Sequence, residues 1–192
     1  MLPASDCSWR DWQIPLSCRE VTLADALKSA EHMAADQNDV PLIIRLIENP
    51  KFDIPGVNIF DGAVNLYDHD CIHALLGRGL LSKDEAFVIG FTMGSTNRVS
   101  TTQQKLFELA ARYLYPGPYK FSDEDIHVFK DAVSLGFVSD CDPLDRVDYR
   151  SRVDQTLGEV RAELGIETDL LEAYYRIEQR RYPDAKTSLR LL

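Results

Sequence analysis

The stretch from Asn65 to Gly94 cannot run as one straight helix, and that break constrains the fold of this chain more than any other feature. Apolar residues recur at helical spacing on both sides of Gly77-Arg78-Gly79, a glycine pair that supplies a helix C-terminal stop. Ser82 then opens a new apolar-periodic segment. Two helices are expected, Asn65 to Leu76 and Lys83 to Gly94, folded back on each other as a hairpin. The first carries His69-Asp70-Cys71-Ile72-His73, and eleven residues separate His73 from Glu85 on the second. Imidazoles four residues apart share one helix face, displaced by about 6 Å along the axis. In an unbroken helix Glu85 would lie about 18 Å beyond His73. Through the turn it faces His73 at similar height, so two imidazoles and the carboxylates of Asp70 and Glu85 are candidates for one divalent cation.

Each of those residues has a second reading. Ser82-Lys83-Asp84-Glu85 has the form of a capping box, in which Glu85 would bond back to the Ser82 N–H, although Asp84 could cap in its place. Asp70 could accept an imidazole N–H instead of binding a cation, the partnership that metal-bound histidines need. Cys71 points away from the histidine edge and reads as a small buried apolar residue. His32 and His127, on amphipathic helices beside acids, read as solvated or capped residues.

The chain has 192 residues, 45% of them hydrophobic, enough for one sizeable core. No apolar run reaches the length of a transmembrane helix. The N-terminus has neither a secretory signal nor a transit-peptide composition, so a cytoplasmic location is expected, peripheral to a membrane at most. A net charge of −10 without a basic cluster argues against nucleic acid as a partner. Cys7, Cys18, Cys71 and Cys141 show no paired spacing and read as free thiols.

Residues 1–21, with Trp9, Trp12, Pro3 and Pro15, read as an irregular arm that packs through its indoles. Residues 22–192 read as a single all-α domain of seven or eight helices. Helices are expected from Thr22 to about Gln37, from Val40 to Glu48, and over the two motif segments. Further ones are expected from Thr101 to Tyr115, from the acidic cap at Ser122 to Gly136, from Arg146 to Leu164, and from Asp169 to Arg181. The second motif segment is apolar all round and is expected at the centre.

With those residues in place, His69-Asp70-x-x-His73-x11-Glu85 resembles the signature of the Coq4 family of ubiquinone-biosynthesis proteins. His73-Ala-Leu-Leu-Gly77 is similar to the family's His-x-Leu-Leu-Gly run. Tyr149 to Leu157 and Arg161 to Ile166 resemble its penultimate helix. The match covers residues 64 to 166; upstream of residue 60 the chain departs from the family pattern. The resemblance implies an all-helical fold in which His69, Asp70, His73 and Glu85 hold a divalent cation beside an apolar cavity for a prenylated lipid or quinone precursor. It further implies removal of the C1 carboxyl of a prenylated hydroxybenzoate and its replacement by oxygen, alongside other biosynthetic proteins.

The N/O ligand set suits Zn, Fe(II), Mn or Co better than Mg, and four ligands or fewer leave positions open for chemistry. Asp70 or Glu85 would relay a proton as carbon dioxide leaves the ring. Leu76, Phe87 and Phe91 would flank a lipid tail, although apolar residues at this spacing are most often core. Two rival readings stand beside this one. A non-catalytic prenyl-lipid carrier or scaffold would use the cation to grip a head group. An HD-type phosphohydrolase would pair His69-Asp70 with an upstream His32 and an acid between Asp123 and Asp140.

Overall fold

The computed structural model describes residues 9–34, 64, 66–97 and 121–192. Among them are seven α-helices: α1 (Leu23–Ala34), α2 (Leu66–Leu76), α3 (Ser82–Ser95), α4 (Asp123–Val138), α5 (Leu157–Glu163), α6 (Thr168–Arg181) and α7 (Lys186–Leu189). No strand occurs among the described residues, so the all-α expectation holds. The expected helices at Val40 to Glu48 and Thr101 to Tyr115 lie outside the described residues, as does any extension of α1 to Gln37.

The starts of α1 and α4 follow side chains that can accept orphan N–H groups. The Thr22 hydroxyl accepts from the Asp25 amide at 3.1 Å, and Leu23, Ala26, Leu27 and Ala30 form the buried stripe of α1. At α4, Ser122 and Asp125 form a reciprocal pair, the Ser122 amide donating to the Asp125 carboxylate at 2.8 Å. This is the acidic cap read from the sequence.

One expected helix is much shorter in the structure. Residues Arg146 to Leu164 do not form one continuous helix; α5 begins only at Leu157, preceded by short 3-10 turns at Leu144–Arg146 and Arg150–Arg152. A tertiary partner explains the difference. The arm lies alongside residues 153–158, with Leu157 N–H donating to Val21 O, Gly158 N–H to Arg19 O, and Leu23 N–H to Gln155 O, at 2.8 to 2.9 Å. Those backbone groups are thereby unavailable for a helix. Thr156 starts the helix afresh through its own capping box with Glu159.

Residues 9–21 of the arm hold one 3-10 turn at Trp9–Asp11 and no α-helix, yet they belong to the core. Trp12, Ile14 and Leu16 are buried, and the Trp12 indole N–H donates to the Ser29 hydroxyl at 2.9 Å. At the centre lies α3, buried on nearly every side. It crosses α4 at van der Waals backbone contact because both helices carry glycine there. A Cβ on Gly94 would sit 2.2 Å from Val133 O, and one on Gly136 would sit 2.3 Å from Phe91 O. Cys18, Cys71 and Cys141 are free thiols, the latter two buried.

Candidate metal centre

Geometry at the centre begins with the end of α2. Gly77 adopts φ 69°, the left-handed conformation that a side chain disfavours. The Gly77 amide returns to Ala74 O at 3.4 Å and the Arg78 amide to His73 O at 3.0 Å, closing α2 in a Schellman turn. The chain reverses over the five residues Gly77 to Leu81, and α3 starts at Ser82. There the Asp84 carboxylate accepts the Leu81 amide at 3.3 Å. Capping falls to Asp84, so Glu85 is free to turn inward.

Glu85 meets both imidazoles. His69 Nε2 lies 2.9 Å from Glu85 Oε2, His73 Nε2 lies 3.3 Å from Glu85 Oε1, and the two Nε2 atoms are 3.0 Å apart. The rings meet edge to face at 75°. All three residues are buried. Only His69 reaches toward the surface, its side chain 8% exposed against 0% for His73 and 2% for Glu85.

With Glu85 ionised, protons alone do not satisfy this triangle. With a proton on each Nε2, two N–H groups confront each other across 3.0 Å. With one proton, either His69 or His73 turns a lone pair on a carboxylate oxygen. Among the described residues His73 Nδ1 is buried without a hydrogen-bond partner, and Glu85 Oε1 meets only His73 Nε2, at 3.3 Å. A single cation turns all three contacts into attractions. The separations are each shorter than the roughly 4 Å that two bonds of about 2.0–2.2 Å can span, so the donors fit a metal of the Zn, Fe, Mn or Co type. Among the described residues these three side chains form a group able to hold a metal ion.

Of the four ligands read from the sequence, the structure therefore brings together His69, His73 and Glu85. Asp70 is half-buried on α2 and does not join the group. It acts on the centre through its charge. Burial alone would push His73 toward its neutral form, but the Glu85 charge and hydrogen bond, with Asp70 and Asp84 behind them, raise its pKa. Burial likewise works against an ionised Glu85; the His73 and His69 charges and hydrogen bonds outweigh it and hold the carboxyl well below the usual range. Glu85 is thus held ionised in the absence of a cation.

The signs define a testable window in chelator-treated protein. A raised His73 pKa stabilises the fold fully below its unfolded value, about 6.5, and loses that contribution as pH rises through the folded value. A depressed Glu85 pKa stabilises above its unfolded value, about 4.3, and loses that contribution as pH falls through the folded value. Both contributions are present between about pH 4.3 and 6.5. The stability difference between metal-free wild type and His73→Asn, followed by urea denaturation, should be largest there and shrink at alkaline pH. A difference independent of pH would refute the ion pair.

The apolar residues expected to flank a lipid tail are core instead. Leu76, Phe87 and Phe91 are buried. Phe87 packs against Phe91, Tyr174 and Tyr175, and the Arg78 guanidinium lies 3.8 Å above its ring. His127 is exposed on α4, as expected, and the side chain of His32 lies outside the described residues.

Sequence reasoning missed the residues that hold α2 in place. Arg161 is 2% exposed and donates to three carbonyls: Leu75 O at 2.8 Å, Leu16 O at 2.9 Å and Ala74 O at 3.1 Å. Burial pushes its pKa down to about 10, which leaves it charged at neutral pH. The Tyr175 hydroxyl donates to Leu76 O, and the Gln13 amide to Gly77 O at 2.9 Å. A signal for Arg161 existed: it stands at an apolar position of α5, in register with Leu157, Val160 and Leu164.

Comparison with known proteins finds no matching family model, no curated protein and no solved structure.

Proposed function

We propose that this protein holds one divalent cation at His69, His73 and Glu85. We further propose that it acts on an aromatic acid in the assembly of ubiquinone or a related prenylquinone, removing the C1 carboxyl of a prenylated hydroxybenzoate. The observation that carries the reading is the convergence of two imidazole nitrogens and a carboxylate in a buried site. The reaction class comes from the resemblance of the motif to the Coq4 family.

Bound there, the cation supplies a Lewis acid for a carboxylate or phenolate oxygen. Two neutral imidazoles and one carboxylate leave a divalent centre with a net charge of about +1, which favours an anionic ligand. His69, the ligand nearest the surface, marks the edge from which that ligand arrives. Glu85, held ionised, serves as ligand and charge. Asp70, half-buried beside the centre, is the carboxylate left to move a proton. The packing of Leu76, Phe87 and Phe91 assigns them to the core, so a prenyl tail would lie along other residues.

The phosphohydrolase reading needs the adjacent His-Asp pair on one metal, whereas here the ligand group is His69, His73 and Glu85. The proposed setting is cytoplasmic, peripheral to a membrane and near other biosynthetic proteins. No helix among the described residues is long and apolar enough to cross a membrane.

The test is purification without chelator, elemental analysis, and aerobic incubation with a prenylated hydroxybenzoate while carbon dioxide is measured. The reading expects a stoichiometric transition metal, and carbon dioxide release that is lost in His73→Ala. Metal without release would point to a carrier or scaffold. Phosphate release from a phosphate ester would point to a phosphohydrolase.

A further inference from the structure

The end of α2 is held more fully than a helix terminus requires. The last carbonyls of a helix have no intrahelical partner and ordinarily bond to water or to a glycine turn. In α2 the turn at Gly77 already satisfies His73 O and Ala74 O. Side chains from three further parts of the chain then bond four consecutive carbonyls: Arg161 of α5 at Ala74 and Leu75, Tyr175 of α6 at Leu76, and Gln13 of the arm at Gly77.

Arg161 is the centre of this collar. Its Nε, Nη1 and Nη2 each donate, and Nη1 ties the arm to the same point through Leu16 O. Among the described residues no carboxylate lies within ion-pair distance of it; its charge faces the negative end of α2 and the Leu16 carbonyl. Burying a guanidinium without a counter-ion is unfavourable, and a lysine or a water would cap a carbonyl at lower cost. What the planar fork adds is position: two consecutive carbonyls of α2 and one of the arm must keep a fixed relative orientation to meet it. Ala74 directly follows His73, so the fixed carbonyls begin one residue beyond the second imidazole.

We infer that Arg161 is a positioning residue for the metal centre, fixing the rotation and axial height of α2 so that His69 and His73 meet Glu85. The inference rests on the metal reading above. A shift of about 1 Å along the axis, or of a few tens of degrees about it, would part the two imidazoles from Glu85 oxygens now 2.9 and 3.3 Å away.

Arg161→Lys keeps the charge and the stem but loses the fork. Cobalt(II) is the probe, read by its visible absorption and by competition with a chelator, on protein shown by circular dichroism to be folded. The expected result is a fall in cobalt affinity of roughly tenfold or more, the range that outer-shell partners command, with an altered visible spectrum. A folded Arg161→Lys protein with wild-type affinity and spectrum would overturn the positioning role. Should that variant not fold, Tyr175→Phe decides, because it removes one collar bond and no charge. It should lower cobalt affinity roughly two- to tenfold, and an unchanged affinity would overturn the role. Failure of the wild type to take up cobalt would contradict the metal reading itself, and the positioning role with it.

Discussion

Glu178→Ala should destabilise the protein by about 3–5 kcal/mol, the largest effect expected of a substitution away from the metal centre. Glu178 is buried and accepts two bonds from Arg78, at 3.2 and 2.6 Å, and one from the Ser188 hydroxyl at 2.9 Å. Arg78 is equally buried, between the rings of Phe87 and Tyr175, with its guanidinium carbon 3.8 and 4.4 Å from their centres. Burial alone would favour the neutral form of Arg78, and the Glu178 charge more than offsets it. Among the described residues, removing Glu178 leaves that guanidinium facing Asp84 alone among the acids, at 3.8 Å, and Asp84 is already bound to Arg190. The variant therefore contains a buried, nearly uncompensated cation in the turn that joins α2 to α3. Urea denaturation measures the loss. The double variant Arg78→Met with Glu178→Leu should recover much of it, since apolar replacements of similar volume remove both buried charges together. A Glu178→Ala protein as stable as wild type would show that the pair is not closed to water.

Glu85→Gln should abolish tight metal binding while leaving the helices intact. The amide keeps the size of the carboxylate and loses its charge, so two imidazoles remain as the sole strong donors. The fall in affinity should exceed the roughly 10–100-fold that follows loss of an outer-shell partner, because here a ligand itself is removed. The same substitution takes away the charge that raises His73, so the pH window of the metal-free protein should flatten with it. A Glu85→Gln protein that binds cobalt with wild-type affinity would show that the carboxylate is no ligand.

The hairpin and the meeting of His69, His73 and Glu85 are legible in the sequence because local rules decide them. Gly77 needs a left-handed backbone, the spacing of His69 and His73 fixes a helix face, and Asp84 competes with Glu85 for the cap. The central position of α3 followed from an apolar composition on all its faces. What the sequence concealed was tertiary. The stretch before Leu157 is helical by pattern, yet it pairs with residues 19–23 of the arm, a partner more than 130 residues away along the chain. Arg161 reads as a surface residue of an amphipathic helix unless its register with Leu157 and Leu164 is given weight. Asp70 satisfied every spacing test for a ligand, but a side chain next to His69 in sequence points about 100° away from it around the helix. Phe87 and Phe91 had the composition of a lipid cavity and of a core alike; the rings and guanidinium packed on Phe87 decide for core.

X-ray absorption at the metal edge, on protein purified without chelator, tests the shared centre of His69, His73 and Glu85 most directly. The expected spectrum contains only nitrogen and oxygen neighbours at about 2.0–2.2 Å, with the multiple-scattering signature of two imidazoles. His73→Ala should reduce that signature to one ring or lose the metal. A sulfur neighbour near 2.3 Å, or a spectrum unchanged by His73→Ala, would contradict the assignment.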